Sequence, residues 1–335
     1  MEPSTRALRQ SARLSRAFVV ALLVAAALAR AAAQSAPSAD HHQHLFSPAL
    51  AALISPPAPA PPTSPIDAAQ LISLLDAAGI RRAAVLSVAY IWGSPARAVD
   101  NEYEKVRAEN DWTAEQVARF PDRLIGFCGV NPLKDYALQE VKRCGTIRQL
   151  RTGLKLHMGN SVVDYRNPRH VERLQGIFRA ANSARMAIVV HMRASISQKL
   201  SYGRDEARIF LAEVVPAAPD VPIQIAHLAG GGAPADPAAD QALSVFVEAI
   251  AAGDPRTRNL YFDVTGVAQP GATDERRALI VRQVRALGLQ RILYGSDTAS
   301  GGNPPPREAW AAFRRLPLTE AEFQAIAGNL APYLR

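Results

Sequence analysis

Five of the seven histidines, His42, His44, His157, His191 and His227, sit at or just past the end of a short apolar run. An imidazole in such a place is a ready ligand for a metal ion. His42 and His44 are two apart in an extended stretch, so their side chains project to one face and can reach one cation together. Asp297, in Tyr294-Gly295-Ser296-Asp297, adds a carboxylate beyond the final run. Neutral imidazole suits zinc, iron, nickel or copper, and the added carboxylate keeps manganese within range. Taken singly, each histidine is as readily a hydrogen-bonded structural residue. The chemistry depends on whether the elements that carry them converge.

Eight apolar runs follow one another along the chain, at 39–45, 83–88, 124–130, 153–157, 187–191, 221–227, 259–264 and 291–295. Several are apolar at successive positions, as in Ala187-Ile188-Val189-Val190, which suits strands covered on both faces. Segments with helical spacing lie between them, at 67–78, 101–120, 136–150, 168–184, 205–217, 240–252 and 274–287, with 306–315 and 320–327 closing the sequence. Thr319 followed by Glu322 reads as a capping box. Strand after helix, eight times, predicts an α/β fold of the closed (β/α)8 TIM-barrel type. An open doubly wound sheet would call for Gly-x-Gly-x-x-Gly after the first strand, and none is there. Barrel enzymes build their sites at the C-terminal ends of the strands, where these histidines fall. Closure sets the eighth strand beside the first, bringing Asp297 near His42 and His44. The stretch at 56–65, crowded with Pro, Ala and Ser, is expected to be an extended loop, either a plain linker or a flap over the barrel mouth.

Asp40-His41-His42-Gln43-His44, Gly153-Leu154-Lys155-Leu156-His157, Val190-His191, Ala226-His227-Leu228 and Gly295-Ser296-Asp297 together resemble the ordered strand-end motifs of the amidohydrolase superfamily, in its amidohydrolase-related (family 2) branch. The resemblance covers residue 40 to about residue 334. It implies that His42, His44, His191 and Asp297 bind the metal. It further implies that His227 orients and deprotonates the metal-bound water or binds a second metal. One Zn2+ is the expected ion, with Mn2+ the alternative. A second ion would follow if Lys155 were carboxylated, as a lysine at this strand end is in some members of the superfamily. Asp297 would then serve also as general base, with His227 as the other catalytic residue. Lys155, His157 and Arg193 are the expected substrate contacts, each with a structural role as its alternative. The function expected is hydrolysis of an amide, ester or lactone. Members of the branch also decarboxylate aromatic or enoic acids without oxidation, which is the alternative. A catalytically inactive exported binding protein is the alternative of another class, although every mapped metal position holds a competent ligand type. No Gly-x-Ser-x-Gly elbow supports serine hydrolysis.

At 335 residues, 48% hydrophobic and 20% charged, the composition excludes both disorder and a membrane bundle. Residues 1–33 read as a signal peptide: Arg6, Arg9, Arg13 and Arg16 precede an apolar run at 17–29 and then Ala31-Ala32-Ala33, with cleavage expected near Ala33. An uncleaved membrane anchor and an organelle transit peptide are the alternatives. Residues 34–335 then form the barrel domain, periplasmic or secreted, without stable membrane association after cleavage. Removing the leader takes the formal charge from +8 to +4, and no Lys/Arg stripe with interleaved aromatics remains, so nucleic acid is not an expected partner. A small, anionic substrate is, and self-association into a homo-oligomer is compatible with the sequence. Cys128 and Cys144 could form a disulfide in an oxidising compartment or stay as two buried thiols.

Overall fold

The computed structural model describes residues 36–231, 235–268, 271–298 and 303–335. The expected leader and its cleavage point near Ala33 lie outside the described residues. Strands β1 (Ala39–Gln43), β2 (Arg82–Leu86), β3 (Leu124–Gly129), β4 (Gly153–His157), β5 (Ala187–His191), β6 (Ile223–Ile225), β7 (Leu260–Asp263) and β8 (Ile292–Leu293) pair in parallel in sequence order. Past β8 the backbone meets β1, through His41 N–H to Tyr294 O at 2.8 Å and Asp297 N–H to His42 O at 2.8 Å. The fold is therefore the (β/α)8 barrel that the alternation predicts.

Helices α1 (Pro48–Ile54), α2 (Ala68–Ala78), α3 (Glu102–Ala118), α4 (Ala137–Thr146), α5 (Pro168–Ser183), α6 (Arg204–Ile209), α7 (Pro237–Ala251), α8 (Asp274–Leu287), α9 (Pro306–Phe313) and α10 (Glu320–Gly328) connect and surround the strands. Their starts are written locally. Asp67 with Gln70 and Thr319 with Glu322 both form reciprocal capping boxes, and Gly79, at φ 69°, closes α2 in the left-handed conformation that glycine adopts freely. The helix expected over 205–217 instead runs through α6 into a π turn at Phe210–Val214, and Pro216, lacking an N–H, sits in the short 3-10 turn that ends it. Helix α1 was not foreseen in the segment after β1. It forms because Ser47 accepts the Leu50 N–H at 3.1 Å, Pro48 takes the first helical position, and Leu50 and Ala51 are buried. Beyond it residues 56–65 form the expected loop, and an antiparallel bridge between Phe46 and Ile66 ties its base.

The core has two layers. Between strands and helices lie residues such as Leu75, Val141, Phe178, Phe210, Phe246 and Val284, all buried, each contributing about 1.5–3 kcal/mol by leaving water. Inside the barrel a smaller cluster gathers Ala84 and Leu86 of β2, Phe127 of β3, and Ala187 and Val189 of β5. The two-residue period of a strand decides what stands above them: on β5 the series Ala187, Val189 continues to His191, and on β4 the series Gly153, Lys155 continues to His157. Gly153 is glycine because any Cβ there would overlap the Phe127 ring. Tyr333 enters the floor from the segment after α10, its ring 5.1 Å from Phe127 and 6.2 Å from His41, its hydroxyl donating to Gln224. Of the two readings left open for the cysteines, the structure shows the disulfide: Cys128 of β3 and Cys144 of α4 are joined, with Cα atoms 6.0 Å apart. Among the described residues no helix is long and apolar enough to cross a membrane.

Candidate metal centre

The mouth of the barrel brings β1, β4, β6, β7 and the turn after β8 to one point. His42 on β1 directs its Nδ1 to Asp263 Oδ2 at 3.0 Å. The carboxylate only accepts, so that nitrogen carries the proton and Nε2 presents a lone pair. His44, one residue past β1, donates from Nδ1 to Leu86 O at 2.5 Å, and His227 from Nδ1 to Thr265 O at 3.0 Å. Three imidazoles thus have their protons tied outward on Nδ1, which leaves Nε2 as the acceptor nitrogen of each ring. Among the described residues, His42, His227 and Asp297 each offer a ligand atom within 4.8 Å of the others. His44 Nε2 lies 3.5 Å from Asp297 Oδ1.

That last contact sets a lone pair against a buried carboxylate oxygen that has no hydrogen-bond partner among the described residues. When Asp297 is ionised, two acceptors face each other in a dry site, an arrangement that a cation between or beside them would satisfy. The donor set of imidazole nitrogens and one carboxylate fits a divalent transition metal. Lys155 supplies one positive charge here. Its Nζ donates to His42 Nε2 at 3.1 Å, and it is buried with no carboxylate within ion-pair reach among the described residues.

Burial dominates the electrostatics. It pushes His42 down to about 3, helped by the Lys155 charge and opposed by Asp263. His44 and His227 are also held low by burial. Burial raises the Asp297 carboxyl and the Lys155 charge opposes that rise, whereas burial lowers Lys155 against the pull of Asp297 and Asp263. Burial acts on Asp263 too, yet His42 and the bonds it accepts outweigh it and hold that carboxyl well below the usual range.

The remaining sequence candidates take definite places. His191 stands at the end of β5 with its ring 4.8 Å from that of His227, so it borders the cluster without belonging to the close trio. His157 stacks on His191 at 3.9 Å and accepts the Asn160 N–H on Nδ1. Arg193 is committed to Asp236 at 2.7 Å and lies over the Tyr202 ring. Asp263, Thr265, Tyr90 and Asn303 are not among the site residues expected from the sequence. Tyr90, buried after β2, sits against His157 at 5.2 Å, and Asn303 donates to Asp297 Oδ2 at 3.1 Å. A second convergence, Cys128 with Glu140 and Cys144, offers no thiolate because the sulfurs are bonded to each other. Its carboxylate is already taken by Arg143 and Asn110.

The strand expected to reach His227 stops at Ile225. His227, Leu228 and Ala229 all adopt positive φ, at 54°, 49° and 65°, a conformation that costs non-glycine residues about 1–3 kcal/mol each and needs support from its surroundings. Asp263 Oδ1 supplies it by accepting the N–H groups of His227 at 2.9 Å and Thr265 at 3.2 Å.

Neutral buried histidines give the fold an acid sensitivity. His41 donates from Nδ1 to Tyr294 O at 2.9 Å and accepts the Ala331 N–H on Nε2 at 3.2 Å, so both nitrogens are used only in the neutral form. Burial lowers it from 6.5 to about 4. Below pH 6.5 the unfolded chain takes up a proton that the folded chain refuses. Stability present above that pH is therefore lost as pH falls toward about 4, by up to about 3 kcal/mol from His41 alone. Thermal unfolding of metal-free protein should show a melting temperature that is flat from pH 8 to 7 and falls steadily below about 6.5; a flat profile down to pH 5 would contradict the assignment.

The sequence matches the amidohydrolase family model over residues 39–329. No curated protein matches it. Solved structures with the same fold include 5-carboxyvanillate decarboxylase from Sphingomonas paucimobilis, with 15% identity, a TM-score of 0.61, and coverage of 88% of this chain and 97% of that one. The 2,6-dihydroxybenzoate decarboxylase from Rhizobium has 17% identity, a TM-score of 0.59 and coverage of 88% and 97%. A probable 2-pyrone-4,6-dicarboxylic acid hydrolase from Acinetobacter baumannii has 17% identity, a TM-score of 0.57 and coverage of 88% and 97%. A family match that begins with β1 and runs through α10, on a barrel whose strand ends carry the expected histidines, places the chain in the amidohydrolase family.

Proposed function

We propose that this protein is a metal-dependent enzyme that removes the carboxyl group of a small aromatic or enoic acid without oxidation. The observation that carries the reading is the pairing, in one dry site, of a buried ammonium, Lys155, with a buried carboxyl oxygen, Asp297 Oδ1, the first lacking an ion-pair partner and the second a hydrogen bond among the described residues. The first suits an anionic substrate, and the second can hold or give a proton. A divalent metal, Zn2+ or Mn2+, held by His42, His227 and Asp297 with His44 and His191 adjoining, would supply Lewis-acid polarisation of the bound substrate. Lys155 binds and orients the carboxylate. The C–C bond to that carboxyl group breaks, its electron pair stays on the ring or chain carbon, and the carbon takes the proton that burial favours on the Asp297 carboxyl, leaving Asp297 as the carboxylate as carbon dioxide departs. Exclusion of water strengthens each of these contacts. Two of the neighbours named above are decarboxylases of aromatic carboxylates, which supports this reading over the hydrolysis expected from the sequence.

Hydrolysis of a carboxylated lactone, or of an ester or amide, is the second reading, favoured by the hydrolase among the neighbours. In it Asp297 and His227 would take the proton of an attacking water. The two separate on one assay: metal-loaded protein incubated with carboxyl-labelled aromatic acids and carboxylated lactones. Release of labelled carbon dioxide is expected. Ring or acyl opening without it would establish the second reading, and neither product from protein shown to hold metal would sink both. The Cys128–Cys144 disulfide, together with the basic and apolar N-terminal segment, supports an exported protein in an oxidising compartment.

A further inference from the structure

We propose that Asp263 is the positioning residue of this site: it fixes which nitrogen of His42 carries the proton and holds the left-handed turn that presents His227, so that both rings turn Nε2 lone pairs toward Asp297. The inference deepens the metal-dependent reading and rests on it for its catalytic meaning. Asp263 is fully buried at the end of β7, and four donors occupy its carboxylate. Oδ2 accepts from His42 Nδ1 at 3.0 Å and Gln224 Nε2 at 2.7 Å, while Oδ1 accepts from the backbone N–H groups of His227 and Thr265. With its acceptors so engaged, Asp263 acts through its neighbours and does not itself reach substrate. Gln224 is oriented in turn, because its Oε1 accepts the Tyr333 hydroxyl and its Nε2 is thereby aimed at Asp263 and at His41 O, 3.3 Å away. A polar chain thus runs up the barrel from Tyr333 through Gln224 and Asp263 to His42.

The substitution Asp263→Asn tests this with little change of shape. The amide oxygen can still serve the two backbone donors, which leaves its NH2 facing His42 Nδ1 and Gln224 Nε2, where an acceptor is needed. His42 relieves the conflict by moving its proton to Nε2, so the lone pair toward the metal is lost, as happens when a neutral amide replaces a histidine-orienting carboxylate elsewhere. Nitrogen-15 NMR of the metal-free protein should find His42 protonated on Nδ1 in the wild type and on Nε2 in Asp263→Asn, and Mn2+ and Zn2+ titrations should show affinity reduced by about 10–100-fold. Wild-type His42 protonated on Nε2 would overturn the proposal with no variant needed. So would an Asp263→Asn protein with unchanged ring protonation and unchanged affinity. If the wild type takes up no metal but the His42 proton moves as described, the positioning role stands and the metal-dependent reading fails.

Discussion

Asp297→Asn should lower kcat by about 10³-fold or more while the barrel stays folded. The fold survives because the position is unusual in a way asparagine tolerates: Asp297 adopts a φ of 55°, and asparagine enters the left-handed region more readily than most residues. Its backbone N–H still bonds His42 O at 2.8 Å. The chemistry should not survive, since Oδ1 is a buried oxygen with no hydrogen bond among the described residues, facing His44 Nε2 across 3.5 Å. A neutral amide there carries no charge for a cation and exchanges no proton with a reacting carbon or water. Removing a positioned proton carrier alone is worth about 10²–10⁴-fold, and lost metal affinity adds to it. Turnover measured at saturating Mn2+ or Zn2+, beside a thermal melt, checks both halves. Activity above about one-tenth of wild type would remove Asp297 from the reaction.

Lys155→Met should raise KM for a carboxylate substrate by about 10–100-fold, the worth of one charge-assisted hydrogen bond at about 1.5–3 kcal/mol. It should at the same time tighten metal binding. In the structure the ammonium donates to His42 Nε2 at 3.1 Å, the lone pair that a metal would use, so it competes for that nitrogen and repels a divalent ion nearby. Methionine fills a similar volume without charge. Because burial opposes the Lys155 charge, the replacement should not lower the melting temperature. Calorimetric metal titration and substrate kinetics read the two effects separately. Weaker metal binding in the variant would make Lys155 a ligand-side residue, and an unchanged KM would leave it without a substrate to bind.

How much of this was legible beforehand follows from which interactions are local. The two-residue period put His42 with His44, and Lys155 with His157, because strand parity is written in adjacent positions. Barrel closure then placed Asp297 beside β1. What parity could not give is the second partner of each ring. Nothing local to Asp263 shows that its Oδ2 meets His42, 221 positions away. The turn at His227 was invisible for a related reason: nothing in Ala226-His227-Leu228-Ala229 favours positive φ, and the support comes from another strand. For Arg193, a substrate contact and a structural role both stay open in the sequence because its partner Asp236 lies 43 positions on, beyond β6. Helix α1 was hidden by the Pro/Ala-rich stretch behind it, although Ser47-Pro48 is a readable start signal.

The segment that closes the barrel floor, from the His41-bonded Ala331 to the buried Leu334, follows all eight strands in the sequence. A ribosome making this chain therefore delivers every strand before the residue that plugs them, Tyr333. The interior around Phe127 is thus completed only after the last strand has been made, when Tyr333 packs against it.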